Sequence, residues 1–109
     1  MFYKADYIIL EDKMLEDYFM EVEDGVIVGF SKNEPDSYEY LGEIVAPGLV
    51  DTHIHGYMGK DIMKAEAGAL NVISKGLLEC GVTSFLPTTL TDSKEKTDAA
   101  LKQVAAEYK

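Results

Sequence analysis

The chain contains no arginine and no tryptophan, and it has only one cysteine, two histidines and three prolines in 109 residues. All ten basic residues are lysines, set against 20 acidic ones, so the formal net charge is −10. A nucleic-acid surface wants clustered Lys and Arg, and a bidentate clamp on phosphate or carboxylate wants Arg. The composition therefore argues against a nucleic-acid partner. The acidic residues are spread along the chain, which makes a solvated, self-repelling surface. The lone Cys80 cannot form an internal disulfide, which fits a reducing, cytoplasmic setting. Its place in an apolar helical stripe predicts a buried structural thiol. No apolar run approaches the length of a membrane span. The opening MFYKADYIIL carries an early acidic residue and no small-residue cleavage site, so no secretory leader is expected.

What is present is globular in character, at 47% hydrophobic and 28% charged residues. The length suits one domain and is short for two cores of typical size. Residues 1–46 read as β-structure. Tyr3, Ala5, Tyr7 and Ile9 alternate as on a strand. Asp24-Gly25 marks a two-residue hairpin turn, with Tyr18, Met20 and Val22 on one face before it and Val26, Val28 and Phe30 on one face after it. Pro35 and Asp36 sit in a polar loop.

The pattern changes over 47–109. GLVDTHIH reads as a short strand and GYMGKDIMKAEAG as a Gly-rich loop leading into a helix. Ala69, Leu70, Ile73, Gly76, Leu77 and Cys80 form one helical stripe, ended by Gly81. VTSFLP is a second strand, stopped by Pro87. Asp92 with Glu95 three residues on predicts the start of a second helix, whose apolar face carries Leu101, Val104, Ala105 and Tyr108. The fold class expected is α/β: a β-rich segment over 1–46, then two βα units over 47–109. Two such units cannot close a barrel, which takes eight strands. Parallel strands with uncovered edges also favour self-association or strand exchange between copies.

His53 and His55 are the chain's only histidines. Spaced i and i+2 at the end of a strand, they point to one face together with Asp51 and can share a divalent metal, zinc or iron, or bind one each of a nearby pair. The alternative is a pair of hydrogen-bonded surface histidines. Asp51 is read as strand support, and Thr88 and Thr89, just past the second strand, as loop-capping residues that could also line a pocket mouth.

These residues carry a resemblance. PGLVDTHIHG resembles the first barrel strand of the metal-dependent amidohydrolases, an apolar strand ending in His-x-His. APGLVDTHIHGYMGKDIM with GVTSFLPTTLT resembles, more narrowly, the N-acetylglucosamine-6-phosphate deacetylase family. The matching positions are Gly56, Gly59, Asp61 and Met63, then Gly81, Val82, Thr83, Ser84, Phe85, Pro87 and Thr88. Tyr57 and Met58 stand where relatives often carry more glycine. The first half agrees in pattern alone.

The resemblance implies part of a small β-sandwich domain followed by the first two βα units of a TIM-like (β/α)8 barrel, an N-terminal portion with the barrel incomplete. It implies hydrolysis of the acetamide of N-acetylglucosamine 6-phosphate, an amino-sugar phosphate, with His53 and His55 as metal ligands. No catalytic residue is assigned in this chain: the general base and the remaining ligands are expected beyond residue 109, so the chain alone is expected to be inactive. Another amidohydrolase of hydantoinase, dihydroorotase or deaminase type, or a non-catalytic oligomerising fragment, are the alternatives.

Overall fold

In the computed structural model, which describes residues 1–108, the chain divides into two compact units, Met1–Pro47 and Gly48–Lys109. Each has its own small buried cluster, rather than the single core that the chain length suggests.

The first unit is one four-stranded sheet. β1 (Phe2–Ile9), β2 (Met14–Glu23), β3 (Val26–Ser31) and β4 (Glu39–Val45) lie in the order β3-β2-β1-β4. The first three strands run antiparallel, and β4 returns parallel to β1. Asp24 and Gly25 both have positive φ, 49° and 78°, as the type I′ turn between β2 and β3 requires. Ala5, Ile8 and Met20 are buried, with Tyr18, Val22 and Phe30 packed against them. Two face assignments fail here. Ile9, the last residue of β1, is exposed, and Ile8 beside it is buried instead. Val26 and Val28 face solvent while Phe30 packs inward, because β3 is an edge strand and shifts register opposite Glu21/Val22.

In the second unit, β5 (Leu49–Ile54) pairs in parallel with β8 (Val82–Pro87). Between them lie a short hairpin, β6 (Gly56–Tyr57) with β7 (Lys60–Asp61), a 3₁₀ turn at Ile62–Lys64, and α1 (Ala69–Glu79). The stretch expected to be loop is thus largely ordered. After β8 comes α2 (Lys94–Glu107). Ile73 and Ala100 are fully buried, and with Ile62 and Leu77 they join α1, α2 and the 3₁₀ turn into one cluster. Gly81 ends α1 with a φ of 82°, the left-handed conformation that favours glycine.

Two expectations are corrected at the helix ends. Ser93, not Asp92, caps α2, its hydroxyl accepting from Lys96 N at 3.3 Å, while Asp92 accepts from Ser93 N at 2.7 Å. Cys80 is exposed, because α1 stops one residue before it and it no longer shares the buried stripe.

The start of α1 has no side-chain cap of its own, since its N-cap is Gly68. The carboxylate of Glu107, at the end of α2, substitutes for one: it accepts from Gly68 N at 2.6 Å and Leu70 N at 3.1 Å. The Gly68 N–H above all, helped by Gln103 and Leu70, holds the Glu107 carboxyl below its ordinary value. A depressed carboxylate stabilises the fold above its unfolded-state value and loses that contribution as pH falls through the folded one. Melting temperature is therefore expected to fall on acidification below about pH 5, and Glu107→Gln to flatten that acid limb. Thermal unfolding followed by circular dichroism across pH checks both, and an unchanged limb counts against the cap.

Candidate metal centre

β5 delivers the two histidines by the way it pairs with β8. Leu49 N donates to Gly81 O at 2.9 Å at one end of the pair, and Thr88 N donates to Ile54 O at 2.8 Å at the other. Close approach at the start depends on Gly48, where a Cβ would lie 2.0 Å from the Thr83 hydroxyl oxygen. Ile54 packs against the buried cluster of the unit. His53 is exposed and His55 half-buried, at the C-terminal end of the strand.

The Nε2 atoms of His53 and His55 stand 3.2 Å apart, with the rings perpendicular. Two ligands of a tetrahedral zinc ion, each about 2.0–2.1 Å from it, lie about 3.3–3.4 Å from one another. The spacing fits two nitrogens on one ion, and it equally fits a hydrogen bond between the two rings. The other ring nitrogen of His55, Nδ1, lies 2.9 Å from the Thr88 carbonyl oxygen. That oxygen can only accept, so Nδ1 carries the proton and Nε2 keeps its lone pair for a metal. A carbonyl held this way is a usual partner behind a metal-binding histidine.

The other candidates take different places. Asp51 turns its carboxylate back to its own strand and accepts from His53 N at 3.0 Å. The Thr88 hydroxyl donates to Leu86 O at 2.9 Å, as a loop-capping residue would. What the sequence conceals is the Thr88 carbonyl, because a main-chain acceptor leaves no mark on residue identity. Among the described residues no third His, Cys, Asp or Glu joins the pair in a metal-sized cluster.

The segment after His55 is shaped by glycine. Ile62 N donates to His55 O at 2.9 Å, closing the hairpin back onto the histidine. Met58 and Gly59 both have positive φ, 52° and 76°, at the tip between β6 and β7. A Cβ on Gly76 would lie 2.6 Å from Met58 Cγ and 2.9 Å from Tyr57 Cδ1, so the bare face of α1 lets the hairpin lie down on it. Tyr57 there meets Cys80, hydroxyl to Sγ at 3.4 Å, and this contact, first among several causes, raises the tyrosine hydroxyl above its ordinary value. At Gly56 a Cβ would fall 2.1 Å from the Lys60 carbonyl oxygen and 3.0 Å from Asp61 Cα, both main-chain atoms.

Strand, loop and histidine pair define a protein of parallel βα units that presents two imidazoles at the C-terminal end of β5. No family model matches the chain. It is 32% identical over 102 residues, 94% of the chain, to the N-acetylgalactosamine-6-phosphate deacetylase of Escherichia coli O157:H7. It is 36% identical over 101 residues, 86% of the chain, to the N-acetylglucosamine-6-phosphate deacetylase of Bacillus subtilis. Among solved structures, the N-acetylglucosamine-6-phosphate deacetylase of Pasteurella multocida matches 99% of the chain with a TM-score of 0.86, at 20% identity. The chain spans about a quarter of the length of those curated relatives, 27% and 25%, and 31% of the solved chain. It is thus a homologue of the N-acetylglucosamine-6-phosphate deacetylases, corresponding to an N-terminal part of them.

Because both atoms that a Gly56 methyl would strike belong to the main chain, Gly56→Ala must open the hairpin. A loss of about 1–3 kcal/mol in urea unfolding is expected, with loss of the nuclear Overhauser contacts between residues 56 and 61. Retention of those contacts at unchanged stability would show that the hairpin does not need the glycine.

Proposed function

We propose that this chain carries the histidine arm of a metal-dependent amidohydrolase that removes the acetyl group of N-acetylglucosamine 6-phosphate, giving glucosamine 6-phosphate and acetate. The observation that carries it is the 3.2 Å approach of the two Nε2 atoms, with the His55 ring set by the Thr88 carbonyl. Sequence similarity to curated deacetylases of amino-sugar phosphates across the same residues supports the substrate class.

His53 and His55 would hold a divalent metal, zinc or iron, through Nε2. Bound there, such a metal polarises an amide carbonyl and lowers the pKa of water. The Thr88 carbonyl keeps the proton on His55 Nδ1, so that ring needs no tautomer change to serve. The position at the C-terminal end of a parallel strand is where catalytic groups of βα barrels collect. The β-rich unit belongs on this reading to a small β-sandwich domain, and the two βα units to a TIM-like barrel. The general base is expected outside these 109 residues, and two neutral imidazoles bind metal weakly beside a complete site.

Accordingly, the chain by itself should bind zinc or cobalt(II) measurably, lose that binding in His53→Ala and in His55→Ala, and release no acetate from N-acetylglucosamine 6-phosphate or its galactosamine epimer. Isothermal titration with the metal and an acetate assay check these outcomes. Metal binding that survives both substitutions would sink the histidine assignment, and turnover that disappears with them would show that the chain holds a complete site.

On the same reading, apolar side chains left in solvent on the βα strands, such as Leu49, Val50 and Leu86, favour association between copies. Light scattering is expected to give a mass above that of one chain, rising with concentration. A monodisperse monomer that melts cooperatively would contradict it.

A further inference from the structure

We infer that Asp51 is a positioning residue for the histidine pair: its carboxylate holds an irregularity in β5 that aims His53 at His55. The inference rests on the proposed metal-binding role of the two histidines.

The pairing of β5 with β8 is out of step where the histidines lie. Val50 and Asp51 face Ser84 and Phe85 in turn. From Asp51 to Ile54 is then three residues, while their partners Phe85 and Pro87 are two apart. One residue of β5 is therefore surplus within Thr52–His53. A surplus residue of this kind is unpaired in the ladder, bends its strand and re-aims a side chain, and such bulges recur next to active sites. Its main-chain groups still need partners. For His53 the partner is local: its N–H donates to Asp51 Oδ1 at 3.0 Å.

The two sides of the pair are thus held differently. His55 is fixed through its ring, by Nδ1 against the Thr88 carbonyl at 2.9 Å, and through its main chain, by its carbonyl accepting from Ile62 N at 2.9 Å. His53 is fixed through its main chain, by the Asp51 carboxylate. Remove that acceptor and the irregular stretch can relax toward regular pairing, which changes the direction of the His53 side chain while leaving His55 in place. The requirement is for an acceptor oxygen two residues before the N–H, a geometry that Asp, Asn and, more weakly, Ser can all supply.

The test compares the chain with Asp51→Ala, Asp51→Ser and Asp51→Asn, with folding monitored by circular dichroism. In the absence of added metal, amide hydrogen exchange at His53 is expected to be slow in the parent and in Asp51→Asn, intermediate in Asp51→Ser and fast in Asp51→Ala. Exchange at Ile62 is expected to stay the same throughout. Cobalt(II) affinity should drop by about tenfold or more in Asp51→Ala, the usual loss when a group supporting a ligand is removed, and be largely restored in Asp51→Asn. Equal exchange at His53 in every variant, or an Asp51→Asn as impaired as Asp51→Ala, overturns the inference. If Asp51→Ala does not fold, the Asn and Ser variants decide it by the same two readouts. Metal binding that is lost in His53→Ala but unaffected in Asp51→Ala would sink the role of Asp51 and leave the metal reading standing. Binding absent from the parent chain would sink the metal reading, while the exchange series still decides whether Asp51 holds His53.

Discussion

The parallel pairing of β5 with β8 is the constraint on which the site depends. Two main-chain hydrogen bonds, Leu49 to Gly81 and Thr88 to Ile54, fix the ends of the pair. The second brings Thr88 beside the end of β5, and the carbonyl of that residue then meets His55 Nδ1. Strand pairing and ring orientation thus share one residue. The N–H of Thr88 serves the neighbouring strand and its C=O serves the imidazole. Any shift of β8 along β5 would move the acceptor away from the ring and leave His55 free to adopt either tautomer.

Glycine has an equally physical part around this pair. Gly48 allows the strands to approach where Thr83 would otherwise collide, and Gly76 allows the hairpin after His55 to rest on α1. These are statements about space rather than about backbone angle. At the hairpin tip the backbone angle matters instead: Met58 adopts a left-handed conformation beside Gly59, an unusual place for a long unbranched side chain. Contact of Met58 and Tyr57 with α1 supplies a compensating interaction, since the space above Gly76 is filled by those two side chains.

The strong negative charge contributes little to holding the fold. The ion pairs Lys94 with Asp98 on α2, and Lys96 with Asp92 just before its start, lie on exposed side chains, where solvent screening leaves such pairs little weight. The more effective carboxylates bond to main-chain N–H groups. Glu107 does so at the start of α1, Asp51 at His53 and Asp61 at Met63. Acidic residues in this chain therefore do their structural part as hydrogen-bond acceptors for otherwise unpaired amides.

The sequence by itself determined a good deal. Alternation and helical spacing located β8 residue for residue and α1 to within its last residue, because period two and period 3.6 are imposed by the backbone. The Asp-Gly pair located the hairpin of β2 with β3, because few residues accept two successive positive φ values. The His-x-His spacing put two imidazoles on one side of one strand, and the flanking motifs pointed to the deacetylase family. Hidden from it were the hairpin carrying Met58-Gly59, the exposure of Cys80, the Ser93 cap and the register in which β5 meets β8. Each of these depends on contacts between residues far apart in the chain, or on which of two adjacent acceptors a helix end selects. Which side chains can ligate was thus written in residue identity. What holds them, the Thr88 carbonyl, the surplus residue in β5 and the Asp51 carboxylate turned onto His53, was decided only by tertiary structure, because main-chain acceptors are common to every residue and acquire meaning through position alone.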